Sequence, residues 1–176
     1  LVEVTTGIVA DYQKLEAEKK MTREEAQAAA REALRTPRFN TNDYYFIYDF
    51  DGRAVMVAGS PKIEGEVMLG KADTKGFKLW DAIVAAGKAG SGYIDYWFPR
   101  AGATEASPKR GYVIGIPEWK WIVGTGVYVD DVDAAVTRAA IRYALISLLI
   151  LAVVSVVGVM VARSIVRQLG GEPAAA

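Results

Sequence analysis

Between Tyr143 and Ala162 the chain reads YALISLLILAVVSVVGVMVA, a run without a charged residue. As a helix at 1.5 Å per residue it reaches about 30 Å, the thickness of a bilayer's hydrocarbon core. Every backbone N–H and C=O in lipid must be satisfied within the segment, so a lone stretch of this kind is expected to be a helix. A buried core helix can also be apolar all round, but a run this long without a charge exceeds what an ordinary core helix needs. The chain therefore reads as a folded domain followed by a membrane helix.

What precedes the run is long enough for one domain with a real core and too short for two. The 176 residues carry 21 Lys+Arg and 21 Asp+Glu. Only Arg142, Arg163, Arg167 and Glu172 of these lie beyond residue 138, which leaves the first 138 residues slightly acidic. No basic face points to nucleic acid, and none is expected as a partner. Cysteine and histidine are both absent. Disulfides, thiol nucleophiles and the usual zinc, haem and triad chemistries lose their standard groups, so an enzyme is not expected and no cofactor or metal is implied. Ser60, Ser91 and Ser107 have no histidine to serve them as a base. The opening LVEVTTGIVA reads as the interior of a longer segment. A partner membrane helix is expected before it.

The first 36 residues read as helical. Leu1, Val4, Ile8, Tyr12 and Leu15 recur at spacings of three and four, an apolar stripe that must pack on something. Thr22 with Glu25 forms a capping box that opens a second, alanine-rich helix, and Pro37 closes it. Residues 44–129 have a different texture. All the aromatic residues except Tyr12, Phe39 and Tyr143 fall there, in short runs divided by Gly and Pro. Asp51-Gly52 between YYFIYDF and RAVMVA predicts a two-residue hairpin turn. Phe77, Trp80, Val84 and Gly87 predict one helix. GYIDYWF, RGYVIGI and WIVGTGVYV are three further strands, with Pro99 to Pro108 as the loop between the first two. The expected fold class is α+β, an antiparallel sheet of about five strands with a long N-terminal helix. From Asp130 to Ala162 the helical pattern is unbroken for about 50 Å, so movement at the sheet's edge would reach the bilayer without a flexible linker.

Several ordered motifs resemble the extracytoplasmic single-Cache sensor domains of bacterial chemoreceptors, the type with one PAS-like sheet. The resemblance lies in WKWIVGTGVYVDDVDAA (Trp119 to Ala135), TREEAQAAAREALRTPRF, YYFIYDFDG, YIDYWFP, and PK followed by Tyr112. It implies a sensor domain at 1–138, a transmembrane helix at 139–162, and, from RSIVRQLGGEP, the start of a HAMP linker at 163–176. Gln168 stands there in place of a proline common in other HAMP modules. The family's frequent His-Pro pair after the second strand is replaced by Ala58-Gly59-Ser60-Pro61, so any contact made by that histidine is missing.

The resemblance further implies a short-chain carboxylate as ligand (acetate, propionate, pyruvate or lactate), a homodimer, cytoplasmic signalling partners, and a place in the inner membrane of a bacterium with the sensor domain outside. The same sensor would serve equally on a histidine kinase or a cyclic-dinucleotide enzyme. Lys109 matches the family's lysine on the strand after the Pro-rich loop. A strand lysine facing an apolar pocket is costly unless an anion pairs it, whereas at a solvated sheet edge it would only block aggregation. Arg110 alternates to the opposite face. Tyr44, Phe46, Tyr96 and Phe98 are expected either as an aromatic wall around the carboxylate or as plain sheet core. Trp119 and Trp121 read as structural. Gly124 and Gly126 permit close backbone approach, and the two of them do not make a nucleotide loop. Asp49-Phe50-Asp51-Gly52 is a turn, since it lacks a calcium loop's remaining ligands. A ligand of about four to six heavy atoms at no more than about 1.5 kcal/mol each can bind no tighter than tens of micromolar to just below a micromolar, depending on its size. A lysine ion pair worth about 1.5 to 3 kcal/mol is then a large share.

Overall fold

The computed structural model describes residues 2–40, 43–168 and 170. The chain divides into two compact units between Asp131 and Val132. The first unit opens with helices α1 (Val2–Ala17) and α2 (Arg23–Arg35). Thr22 caps α2 as the sequence predicts, with the Glu25 N–H donating to its hydroxyl at 3.2 Å and its own N–H donating to the Glu25 carboxylate at 2.8 Å. The inward face of α1 differs from the expected stripe. Val2, Thr5 and Val9 are buried, Ile8 and Tyr12 pack partly, and Val4 is 61% exposed. A reading that scores only apolar residues passes over Thr5, whose hydroxyl is satisfied by the Val2 carbonyl at 2.6 Å and so costs little to bury. Leu1 lies outside the described residues.

Five strands follow: β1 (Tyr45–Asp49), β2 (Ala54–Val57), β3 (Ser91–Pro99), β4 (Ala106–Ile116) and β5 (Trp121–Tyr128). They form one antiparallel sheet in the order β2-β1-β5-β4-β3. The expected two-residue turn is instead a three-residue loop, Phe50 to Gly52. The Asp49 N–H bonds the Arg53 carbonyl at 3.0 Å, and Gly52 takes the positive φ, +76°, that this loop needs. The Asp49 carboxylate also accepts from the Asp51 and Arg53 N–H groups, so Asp49 to Gly52 is a turn as expected. The register of β1 on β2 slips between Ile47 and Tyr48, leaving Val55 as an extra residue. β4 begins earlier than the proline pattern suggests and includes Pro108. That proline faces Trp97 of β3 and has no β5 partner, because the β4–β5 ladder starts at Lys109.

Helix α3 (Leu79–Lys88) lies between β2 and β3 in sequence; Phe77 precedes it and is 42% exposed, while Trp80, Val84 and Gly87 are buried in it. Alternation along the strands divides the core in two. Ile47, Met56, Ile116, Trp121 and Val123 pack with Trp119 against Ala26, Ala30 and Leu34 of α2 and Val9 of α1. Trp119 and Trp121 meet edge to face at 4.9 Å across a 3₁₀ turn that ends on Lys120 at φ +53°. Tyr44, Phe46, Tyr48, Val57, Ile94, Tyr96, Val113 and Ile122 face the other way, toward α3.

Helix α4 (Val129–Gln168) begins one residue before Asp130, follows β5 without a break in the chain and continues past Ala162. It is long and apolar enough to cross a membrane. The stretch expected as the start of a HAMP linker is helical to Gln168, and its remainder, apart from Gly170, lies outside the described residues.

Candidate functional site

The α3-facing side of the sheet carries the site. Starting from the chain's alternation, Tyr44, Phe46 and Tyr48 project to one face along β1 and the residue before it. Across the sheet, Phe46 sits opposite Gly124, and Gly124 opposite Val113. Lys109 on β4 lies between Tyr96 on β3 and Tyr128 on β5. The glycines make this crowding possible. A Cβ on Gly124 would come within 2.6 Å of the Phe46 ring, and one on Gly126 within 3.0 Å of Lys109 Cε. Gly59 leaves room for the Tyr44 ring in the same way.

Tyr44, Phe46, Tyr48, Val57, Leu79, Ile83, Tyr96 and Phe98 line a cavity of about 10 Å³, as swept by the centre of a water molecule. That is room for about one water. Four of the expected residues, Tyr44, Phe46, Tyr96 and Phe98, share this wall, and Phe98 is its less buried member. The polar edge of the wall is phenolic, and one hydroxyl is committed: Trp80 Nε1 donates to the Tyr48 oxygen at 3.0 Å. Burial holds the Tyr44, Tyr48 and Tyr96 hydroxyls well above the usual tyrosine range, so all three stay neutral donors.

Lys109 is buried, at 1% exposure, which is rare for a lysine. Its ammonium stands 4.2 Å from the Tyr44 ring centroid and 4.5 Å from that of Tyr128. Two aromatic faces are a favourable setting for a cation but a partial substitute for water. Burial accordingly pushes the Lys109 pKa down to about 8, with the Asp43 carboxylate opposing and Arg100 assisting. Lys109 is not part of the cavity wall; Tyr44 belongs both to that wall and to the ammonium's surroundings. Asp43 is itself 4% exposed and accepts from Asn40 Nδ2 at 2.8 Å. Arg110, one residue on, points to solvent and pairs with Asp95 at 2.6 Å. This agrees with its expected place on the face opposite Lys109.

Sequence reasoning did not single out Tyr48, Tyr128, Asp43, Val57, Leu79 or Ile83. Tyr48 continues the two-residue strand spacing of Tyr44 and Phe46. Tyr128 becomes visible only through the β4–β5 register, and Leu79 and Ile83 only through the packing of α3. A buried cation with aromatic rings on two sides, beside a small apolar cavity, is suited to holding a small anion with an apolar body.

The fold and this site define a PAS-like α+β sensor module followed by a helix of membrane length. The chain belongs to the Single Cache domain 2 family, which matches residues 1–141. It is similar to the methyl-accepting chemotaxis protein McpP of Pseudomonas putida, 34% identical over 170 residues that make up 96% of this chain and 31% of that protein. The sensor histidine kinase MctS of Rhizobium johnstonii is 32% identical over 106 residues, 59% of this chain and 23% of that protein. A solved Cache chemosensory domain, described for its recognition of carboxylic acids, superposes with a TM-score of 0.71 at 39% identity. The superposition covers 73% of this chain and 88% of that one. The chain spans 31% and 23% of the lengths of McpP and MctS.

Proposed function

We propose that this chain is the sensory part of a transmembrane chemoreceptor, non-enzymatic, in which residues 1–138 bind a short-chain carboxylate outside the cytoplasm and α4 carries the signal inward. The observation that carries the reading is the buried Lys109 ammonium between Tyr44 and Tyr128, beside an apolar aromatic cavity. A lysine in such a place gains most from an anion small enough to reach it. The likeness to a Cache domain described for carboxylic acid recognition, and to a chemotaxis protein, supports the same ligand class and output. On this reading Lys109 pairs the carboxylate, Tyr44 and Tyr96 offer phenol donors, and Phe46 and Phe98 pack on the alkyl end. Acetate, propionate, pyruvate and lactate are the ligands to test.

A ligand of about four to six heavy atoms is larger than one water, so binding moves the wall. Residues 139–162 cross the inner membrane of a bacterium, 163–176 begin the cytoplasmic HAMP linker, and the receptor works as a homodimer that engages cytoplasmic signalling proteins. A histidine kinase output is the second reading, favoured by the similarity to MctS.

The test is a thermal-shift screen of the full chain in detergent micelles against small carboxylates, amino acids and purines. A ligand that binds only the folded state raises the melting temperature by mass action. The proposal expects a rise with at least one of the four carboxylates. A rise with an amino acid or purine alone would overturn the ligand class.

A further inference from the structure

Arg100 lies in the loop between β3 and β4, beside the junction of β5 and α4. Its guanidinium donates to both carboxylate oxygens of Asp131, Nη1 to Oδ2 at 2.6 Å and Nη2 to Oδ1 at 3.1 Å. Nη2 also donates to Asp130 Oδ1 at 2.8 Å. Both acids belong to the first turn of α4. The guanidinium carbon also stands 4.1 Å from the centroid of the Tyr128 ring, the ring that lies 4.5 Å from Lys109 Nζ. The Tyr128 hydroxyl donates to the Pro99 carbonyl at 2.8 Å, which ties the ring to the residue just before Arg100.

One phenol ring is thus in contact with the cation of the site and with the cation that grips the start of the exit helix. The two like charges oppose each other across it, and Arg100 is among the groups that make the Lys109 ammonium harder to form. A partly exposed ion pair adds little to stability. A bidentate, stacked guanidinium instead fixes direction, which a cluster placed for stability alone would not require.

We propose that Arg100 couples occupancy of the Lys109 site to α4: an anion pairing Lys109 relieves the repulsion across Tyr128 and tightens the hold of Arg100 on Asp130 and Asp131. This rests on the carboxylate reading above. Empty, the site carries an ammonium that no ligand pairs and that weakens the clamp; filled, it does not. The first turn of α4 is then more firmly held when ligand is bound. Because α4 is a single helix to Gln168, that restraint is passed along its length.

The chain has no cysteine, so one nitroxide can be placed at Ala134→Cys in the full chain in lipid nanodiscs. Two perturbations are compared by electron paramagnetic resonance: saturating propionate, and Lys109→Met without ligand, which removes the charge and keeps the apolar stem. Each is expected to restrict the label. Both responses are expected to vanish in Arg100→Gln and in the Asp130→Asn/Asp131→Asn double variant. An unchanged label in Lys109→Met, or a response that survives Arg100→Gln, overturns the coupling. Should calorimetry find no carboxylate binding to the unmodified chain, the carboxylate reading fails, and the Lys109→Met arm alone decides the role of Arg100.

Discussion

The two faces of the sheet are built from the same strands to opposite ends. On the face toward α1 and α2, Ile47, Met56 and Val123 are fully buried against Val9, Ala26, Ala30 and Leu34. Tyr45, Trp119 and Trp121 complete this apolar packing. On the face toward α3, the strands present tyrosines, a buried lysine and glycines that keep space for them. One residue of displacement along β4 separates Lys109, buried between two phenol rings, from Arg110, paired with Asp95 in solvent. The contrast shows how a small domain can hold a costly charge: one face packs apolar side chains against two helices, and the other accommodates a buried ammonium and a cavity.

The comparison breaks most visibly on the helix-backed face. Ile47→Ala should lower unfolding free energy by about 2–5 kcal/mol, as large-to-small core changes do, while leaving carboxylate affinity of the folded chain nearly unchanged. Chemical denaturation and calorimetry on the same sample test both halves. On the opposite face Gly124→Ala should cost about 1–3 kcal/mol by overpacking and should also weaken binding, because the new methyl meets the Phe46 ring and Val113 Cγ1. Thr22→Ala, remote from both faces, should cost about 1 kcal/mol through the lost cap, with no effect on ligand.

A pH series sharpens the contrast in a second way. Lys109 titrates near 8 when folded against an ordinary 10.5, so the unfolded chain holds the proton more tightly. Stability contributed by this group is therefore lowest below about pH 8 and rises as pH climbs from there toward 10.5. Carboxylate affinity runs oppositely. It should be flat below about pH 8 and fall roughly tenfold per unit above it, because the neutral amine offers no ion pair. Denaturation midpoints and calorimetric affinities between pH 7 and 9.5 should show the two trends crossing, and parallel trends would count against Lys109 as the anchor.

Much of this was legible in the sequence for physical reasons. The capping box, the five strands and the apolar run of α4 depend on local pattern, and local pattern is what a sequence displays. Thr5 was missed because its burial depends on a hydrogen bond to Val2, which apolar periodicity ignores. The loop at Phe50–Gly52 was taken one residue too short, since the Asp49 carboxylate organises it from outside the turn. The site was half visible. Lys109, Tyr44, Phe46, Tyr96 and Phe98 come together around one region, yet Tyr128 and Asp43 act on Lys109 through register and loop placement that no spacing rule encodes. The Arg100 clamp joins positions thirty residues apart and was not visible at all.

The central claim is that the α3-facing side of the sheet binds a carboxylate through Lys109. Calorimetric titration of propionate into the full chain and into its Lys109→Met variant, both in detergent micelles at pH 7, tests it most directly. The account predicts micromolar binding to the first and none detectable to the second. It also predicts that the ligand-free variant melts no lower than the parent, because a charge that burial disfavours has been removed. Equal affinity in the two chains would contradict it.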